Sequence, residues 1–440
     1  MKLHQTGLVM SLLIFSFFAI ENIGQAEEQP VQQLSLENCV DMALQKNLTV
    51  QMSQSDTDKS FALVKSAKGA NGLSVNVVNS DYRKQTTSSS HPNQASGDPF
   101  TLVTNQIAFT LPLYNGGKME KTVDAAVVAY DTAKRNQEIS KSQIKYQTTV
   151  DYYRVLQYKN LLAADTRSID DYTLHLQNLQ NSYAAGLASR LQLLQTKVSL
   201  ANAQDTSMKD KASYENAVVA LKNVIGVPRA SDIEVKEAGP YEETPSAEFA
   251  DCLKVALENR QEQIVAKNNV KVAEDNLDIA HSGKRPSLTL NGNDGLQGSN
   301  FANNNKNYFS VYFTLSYNLF DSGVTAAQIE AAKADLNKAK KAAQQQENTI
   351  YADVSQYYLG MEEAQKRIET SQVAVNQAEE VCKIATVSFA AGLETNQDVL
   401  DAEVALATAQ NNYAQALYDY NMNKAGLQMA MGTSLYNRKS

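Results

Sequence analysis

The chain has no tryptophan, three cysteines, eight prolines and four histidines among its 440 residues. Each scarcity excludes something. Three cysteines cannot staple a fold of this size, and an odd number leaves at least one thiol unpaired. Basic residues do not prevail: the net charge is -8, the isoelectric point is near 5.3, and no basic stripe is there to neutralise phosphates. That argues against nucleic acid as a partner. Past the N-terminus no long apolar run occurs, so no membrane-spanning helix is expected. The histidines are scattered. His4 and His91 lie in the N-terminus and a polar loop, while His175 and His281 each have one acid a turn earlier, Asp171 and Asp278. One imidazole with one carboxylate makes neither a metal site nor a triad, so no catalytic residue, no metal and no cofactor is expected, and the chain is not read as an enzyme.

What is present begins with an export signal. Lys2 and His4 precede a mostly apolar run over residues 8–20, and Gly24, Gln25 and Ala26 supply small residues where a signal peptidase would cut, so residues 1–26 are expected to be removed. An anchor helix that stays attached is the alternative, though the run is short for a span. No cysteine follows closely enough to carry a lipid. Cys39 and Cys252 stand at matching places in "CVDMALQKN" and "CLKVALENR". Buried small side chains on helices are expected there and at Cys382, ahead of a disulfide or metal site.

An internal repeat organises the rest. Residues 387–410 laid over residues 181–204, an offset of 206, are identical at 11 of 24 positions, including the tetrads Ala184, Ala185, Gly186, Leu187 and Ala390, Ala391, Gly392, Leu393. Each copy reads as a long helix reaching a tight turn, with the glycine ending it and Ser189 or Thr395 capping the outgoing helix. Gln192 and Asp398 follow at the capping-box spacing. The chain thus divides into a first repeat over 27–226, a linker over 227–246 containing Pro228, Pro240 and Pro245, and a second repeat over 247–440.

Upstream of each long helix the period changes from helical to alternating. Leu73, Val75 and Val77 form one run. After a polar loop, Ile107, Phe109, Leu111 and Leu113 form a second. In the second half Leu288 and Leu290 open a third, and Val311, Phe313, Leu315, Tyr317 and Leu319 alternate with polar residues in a fourth. The apolar positions, Ile107, Phe109, Leu111, Phe313 and Leu315 among them, are expected to face lipid. Tyr114 and Phe320 end the strands as interfacial aromatics, unless they are ordinary strand-end aromatics packed on a helix. From there to the turns run about seventy residues with no proline and, apart from Gly360, no glycine, so each helix could reach roughly 100 Å at 1.5 Å per residue. Tyr152 and Tyr153 recur within it as Tyr357 and Tyr358, an offset of 205. Four strands cannot close a barrel, and open sheet edges are not tolerated in lipid, so several chains must contribute strands to one barrel. The strand count leaves two, three or four copies open.

With these features the chain resembles the TolC family of outer-membrane efflux ducts. The resemblance rests on the two repeats of helix, two strands, long helix and return helix, on the strand-end motifs "PLYNGG" and "NLFDSG", and above all on "FAAGLETNQDVLDAE", with its Asp398, Val399, Leu400 and Asp401 after a glycine turn. It implies a mainly α fold with a β-barrel portion. Three chains, each giving four strands, would form a 12-stranded transmembrane barrel in the outer membrane, and their long hairpins an α-helical tunnel into the periplasm. The implied function is a passive exit duct of a tripartite efflux or type I secretion system, coupled through a periplasmic adaptor to an inner-membrane transporter. The competing reading is an exported coiled-coil stalk or a periplasmic adaptor, which should carry one hairpin and a β-rich lipoyl-like region.

Two sets of site residues follow. The turns, Ala185, Gly186 and Leu187 with Ala391, Gly392 and Leu393, are expected to be tips that dock the adaptor. Asp398 and Asp401 share one helix face, and the resemblance implies that threefold symmetry gathers them into an acidic ring that constricts the periplasmic mouth and attracts cations. The bland account makes Asp398 a cap only, and it leaves Asp401 unexplained. Where the family pattern would have a gate-locking arginine two residues after the turn glycine, this chain has Glu394. Arg190, on the other hairpin, is the nearest basic candidate to pair with Glu394 or Asp398 across neighbouring helices, the alternative being a solvated surface side chain.

Overall fold

The computed structural model describes residues 32–84, 100–228, 230–237, 248–298 and 304–433. The proposed signal segment and much of the strand-to-strand loop around His91 lie outside them. Two kinds of unit alternate twice along the chain. In the first half come β1 (Gln32–Leu34), α1 (Leu36–Lys46), α2 (Leu48–Gly69), β2 (Ser74–Lys84), β3 (Phe100–Asn115), α3 (Lys118–Ala184) and α4 (Arg190–Ile225). After β4 (Ile233–Val235) the second half gives α5 (Phe249–Asn259), α6 (Gln261–Ser282), β5 (Ser287–Gly298), β6 (Asn304–Ser316), α7 (Val324–Ala390) and α8 (Asn396–Ala430).

Both long helices have 67 residues and start and stop 206 residues apart. Tyr152 therefore stands where Tyr358 does, and the 205-residue recurrence of the tyrosine pairs is one position out of structural register. The segment expected as a linker is partly built in: β4 pairs in parallel with β1, and Val235 and Leu34 are buried in the core of the first half. Its apolar Ile233 and Val235 fill a gap between the start of the described chain and α3, a tertiary reason that prolines in the neighbourhood do not reveal.

The core is distributed along the hairpins. One cluster joins Cys39, Tyr152, Val155, Leu221 and Ile225, and its counterpart joins Cys252, Ile350, Val354, Tyr420 and Leu427. All three cysteines are buried and free, and Cys39 and Cys252 occupy matching places in the two clusters. The hairpins α3–α4 and α7–α8 meet through α3 and α8, where Arg154 donates to the Tyr418 hydroxyl at 3.1 Å and Gln157 to Gln415 at 2.5 Å. Long hairpins gain stability from this side-by-side packing of apolar and polar pairs, because no single helix face is strongly apolar.

The four membrane-candidate strands form one antiparallel sheet in the order β2-β3-β5-β6, leaving β2 and β6 as edges. Directly paired residues share a face. Val75, Phe109, Gly292 and Val311 line up in one row, and Leu111, Leu290 and Phe313 in another, with Leu288 and Leu315 beside them. On the opposite face Thr110 donates to Asn291 at 3.3 Å and Asn291 to Thr314 at 3.1 Å, a polar ladder across three strands.

Within the first hairpin, Asp165 of α3 lies beside Asp210 of α4. Partial burial, and then the neighbouring carboxylate, push its pKa up to about 6. A folded pKa above the unfolded value means that this stabilisation is complete below the ordinary carboxylate range and is lost as pH rises through about 6. Asp165→Asn should therefore raise the melting temperature at pH 7.5 and change it little at pH 4.5; thermal melts in detergent at the two pH values check this, and an equal shift at both would contradict it.

Candidate functional site: the hairpin tips and the sheet face

Each hairpin turns by the same backbone device. Gly186 and Gly392 have φ of +77° and +75°, a left-handed conformation that glycine adopts without a Cβ penalty. Leu187 N–H donates to the Ser182 carbonyl at 2.8 Å and Gly186 N–H to that of Tyr183 at 3.0 Å. Leu393 and Gly392 repeat this on Ser388 and Phe389, at 2.9 and 3.0 Å. These bonds satisfy the last carbonyls of α3 and α7 and force the following leucines outward: Leu187 is 84% and Leu393 80% exposed.

Both capping boxes are present. Gln192 N–H donates to Ser189 Oγ at 3.2 Å while Ser189 N–H donates to Gln192 Oε1 at 2.8 Å. In the second tip Asp398 Oδ2 accepts from the Thr395 backbone at 2.8 Å and from its hydroxyl at 2.6 Å. Those hydrogen bonds hold the Asp398 carboxyl below the usual carboxylate range. Asp398 is thus a cap, and both bonds fall on one oxygen. Asp401 takes no part in capping; it is exposed and accepts from Gln397 at 2.8 Å. Glu394 and Arg190 are exposed at their own tips, and among the described residues Arg190 enters no salt bridge within the protomer.

Asn396, the first residue of α8, is the tip residue that sequence reasoning passed over. It is 1% exposed, and its Oδ1 accepts from His175 Nε2 at 2.8 Å and from Thr196 Oγ1 at 3.2 Å. Because Oδ1 only accepts, Nε2 carries the imidazole proton in this arrangement. The His175 ring also meets Phe389 edge-on, with centroids 5.2 Å apart. One amide therefore ties α3, α4 and α8 together directly behind the second tip. The repeat holds the signal in negative form: the matching position in the first half is Arg190, so the two tips differ at one buried and one exposed site. Further back Cys382 Sγ donates to Glu403 Oε1 at 2.9 Å, and burial pushes the thiol up to about 12 and raises the Glu403 carboxyl.

The sheet face completes the picture. Ile107, Phe109, Leu111, Phe313 and Leu315 all fall on the one apolar face, with Asp294, between Ile107 and Phe309, and Asp81 and Arg83, toward the far end of β2, as charged exceptions. No helix among the described residues is long and apolar enough to cross a membrane, and no cluster of His, Cys, Asp and Glu there could hold a metal.

Comparison with known proteins agrees with this architecture. Residues 39–227 and 252–433 match the family described as outer membrane efflux protein, and the chain belongs to that family. It is an outer-membrane protein rather than an exported stalk or an adaptor. It is 27% identical over 236 residues to the outer membrane protein TolC of Vibrio cholerae, a match covering 50% of this chain but only 52% of that protein. With TolC of Salmonella enteritidis it shares 21% over 449 residues, covering 97% of this chain and 86% of the relative. The crystal structure of the Vibrio cholerae outer membrane protein VceC superposes with a TM-score of 0.79 at 19% identity, covering 91% of this chain and 97% of VceC.

Asn396→Ala removes the acceptor of the buried His175 Nε2–H, while the Thr196 hydroxyl keeps the Gln192 carbonyl at 3.1 Å. It should cost about 1 to 3 kcal/mol, read as a lowered urea midpoint with an unchanged slope, and Asn396→Asp should restore part of the loss as pH rises above the carboxylate range.

Proposed function

We propose that the chain is the outer-membrane duct of a tripartite efflux or secretion system, a passive conduit with no chemistry of its own. Three copies close a 12-stranded barrel from their four-stranded sheets, and their hairpins form the walls of a tunnel into the periplasm. The observation that carries this reading is the sheet itself, which is apolar on one face, polar on the other and open at both edges, and which continues directly into two 67-residue helices. From Phe309 to Leu315 the apolar residues of β6 span about 20 Å along the strand; the alternation continues in sequence through Leu319, and a strand carried that far in the assembled barrel would give a band of about 34 Å, or about 26 Å at a tilt near 40°, close to the apolar height of outer-membrane barrels. The polar ladder of Thr110, Asn291 and Thr314 then lines an aqueous lumen.

The tips supply the two remaining roles. Leu187 and Leu393, with the alanines and glycines beside them, dock a periplasmic adaptor that in turn reaches an inner-membrane transporter. Asp398 and Asp401 of three copies form an acidic constriction at the mouth, where ionised carboxylates favour cations. In this reading the Asp398 cap supports the ring, since it fixes the carboxylate on the first turn of α8 and keeps it charged. Arg190 balances this charge by pairing with Glu394 or Asp398 of an adjacent hairpin in the closed state.

Three measurements follow. In planar bilayers the protein should form cation-preferring channels; Asp398→Ala with Asp401→Ala should reduce that preference and abolish block by multivalent cations, Arg190→Ala should raise conductance, and unchanged selectivity and block in the double variant would leave the aspartates as caps only. Leu187→Asp with Leu393→Asp should lower export in cells while the assembled oligomer persists, and normal export would remove the tips from docking. Phe313→Arg or Leu315→Arg should impair insertion by about 2 to 4 kcal/mol near the bilayer midplane; normal insertion of both would turn this face away from lipid.

A further inference from the structure

The seam between two copies can be read off the seam inside one. The two halves superpose with two offsets: 213 residues for α1, α2 and β2 onto α5, α6 and β5, as Cys39 onto Cys252, and 206 for β3 and α3 onto β6 and α7. Pairing within each half obeys them. The last pair of β2 with β3, Ser74 with Thr110, becomes Ser287 with Ser316, which is where β5 and β6 pair. The seam that joins the halves, β3 to β5, has no counterpart in the chain, because β6 ends on an edge. Strand β3 continues past Thr110 to Asn115 only by pairing with β5, whereas β6 stops at Ser316 and the following residues show their apolar side chains, Tyr317 at 58% and Phe320 at 84%.

We infer that β6 of one copy pairs antiparallel with β2 of the next in the register of β3 with β5, extending β6 to Asp321. This rests on the trimer reading above. Leu111 with Leu290 becomes Tyr317 with Val77, which is 83% exposed, and beyond the bulge Tyr114 with Leu288 becomes Phe320 with Val75. Val77 and Val75 thereby continue the apolar face at the helical end of the seam, while farther along Leu315, Phe313 and Val311 meet Asn79, Asp81 and Arg83; a slip of one residue would turn the apolar side of β2 the other way.

The helices beside the seam carry compensating exchanges. Inside the chain Lys121 bridges Asp275 at 3.0 Å, Asp278 at 3.3 Å and Asp124 at 3.9 Å. Across copies the position of Lys121 is Ala327 and that of Asp275 is Ala62. Asp278 and Asp124 become Lys65 and Glu330, exposed residues of opposite charge that need no third group between them. At the strand-helix turn a Cβ on Gly116 would come within 2.9 Å of Arg285 Cβ and 3.2 Å of Ser282 Cβ. Across copies the side chain sits on the other partner: Ser322, at φ +53°, takes the place of Gly116, and Gly69 and Gly72 replace Ser282 and Arg285. Charge and bulk have been redistributed across the seam as a contact between copies requires.

Oxidative cross-linking in outer-membrane preparations tests the register. The natural cysteines are buried, and residues 78 and 316 sit on opposite edges of one sheet, so a disulfide between them must join two copies. Ser316→Cys with Val78→Cys should yield covalent trimers on a non-reducing gel, while Ser316→Cys with Asn76→Cys or with Ser80→Cys should yield little. Glu330→Lys should weaken the heat-stable oligomer and Lys65→Glu in the same chain should restore it. A trimer that links better through either control pair, or a charge swap that restores nothing, overturns the seam and leaves the trimer standing. Unmodified protein that migrates as a monomer overturns both.

Discussion

Backbone hydrogen bonds at a sheet edge are the constraint on which the rest of this structure depends. In water an unpaired strand costs little, because solvent satisfies its amides and carbonyls; in hydrocarbon each orphaned group costs several kcal/mol. The chain builds four strands with an apolar face and leaves β2 and β6 unpaired. Such a sheet is tolerable in lipid only as part of a closed ring, so the need for other copies is written into the strand count before any helix is considered. The helices then follow the strands: each of β3 and β6 runs through a left-handed turn at Gly117 or Gly323 straight into a 67-residue helix, so closing the barrel sets the helices side by side as well.

Duplication makes this economical and also limits it. The same packing design serves both halves, with Cys39 and Cys252, Leu221 and Leu427, and the two tip turns in equivalent places. Function requires the halves to differ where they face different surroundings. The second tip carries Glu394, Asp398 and Asp401 and is pinned by the buried Asn396, while the first carries Gln192, Gln195 and the exposed Arg190. The Asn396 oxygen accepts from α3 and α4 at once and so pins the start of α8 to both helices.

Much of this was legible in the sequence because it rests on local chemistry. Glycine after an apolar helix, serine or threonine three residues on, and strict alternation in the strands each have one cheap structural solution, and the tips, caps and shared apolar face all took it. Features that depend on distant partners were not legible. Nothing near Ile233 reveals that β1 lies beside it, and His175 looks like any helical histidine until Asn396, 221 residues later, is brought against it. The paired tyrosines misled by one position, because helices of equal length set 206 residues apart bring Tyr358, and not Tyr357, to the place of Tyr152. Asp398 illustrates an intermediate case: its spacing gave away the cap, while the acidic ring proposed for it depends on copies that a single chain does not contain.

The most direct test is the mass of the detergent-solubilised particle by light scattering, with the detergent contribution separated by refractive index and absorbance. At 48.3 kDa for the full chain, less any cleaved leader, the account requires a protein mass close to three copies. A stable, folded particle containing one chain would contradict it, because a four-stranded sheet cannot satisfy its own edges in the membrane.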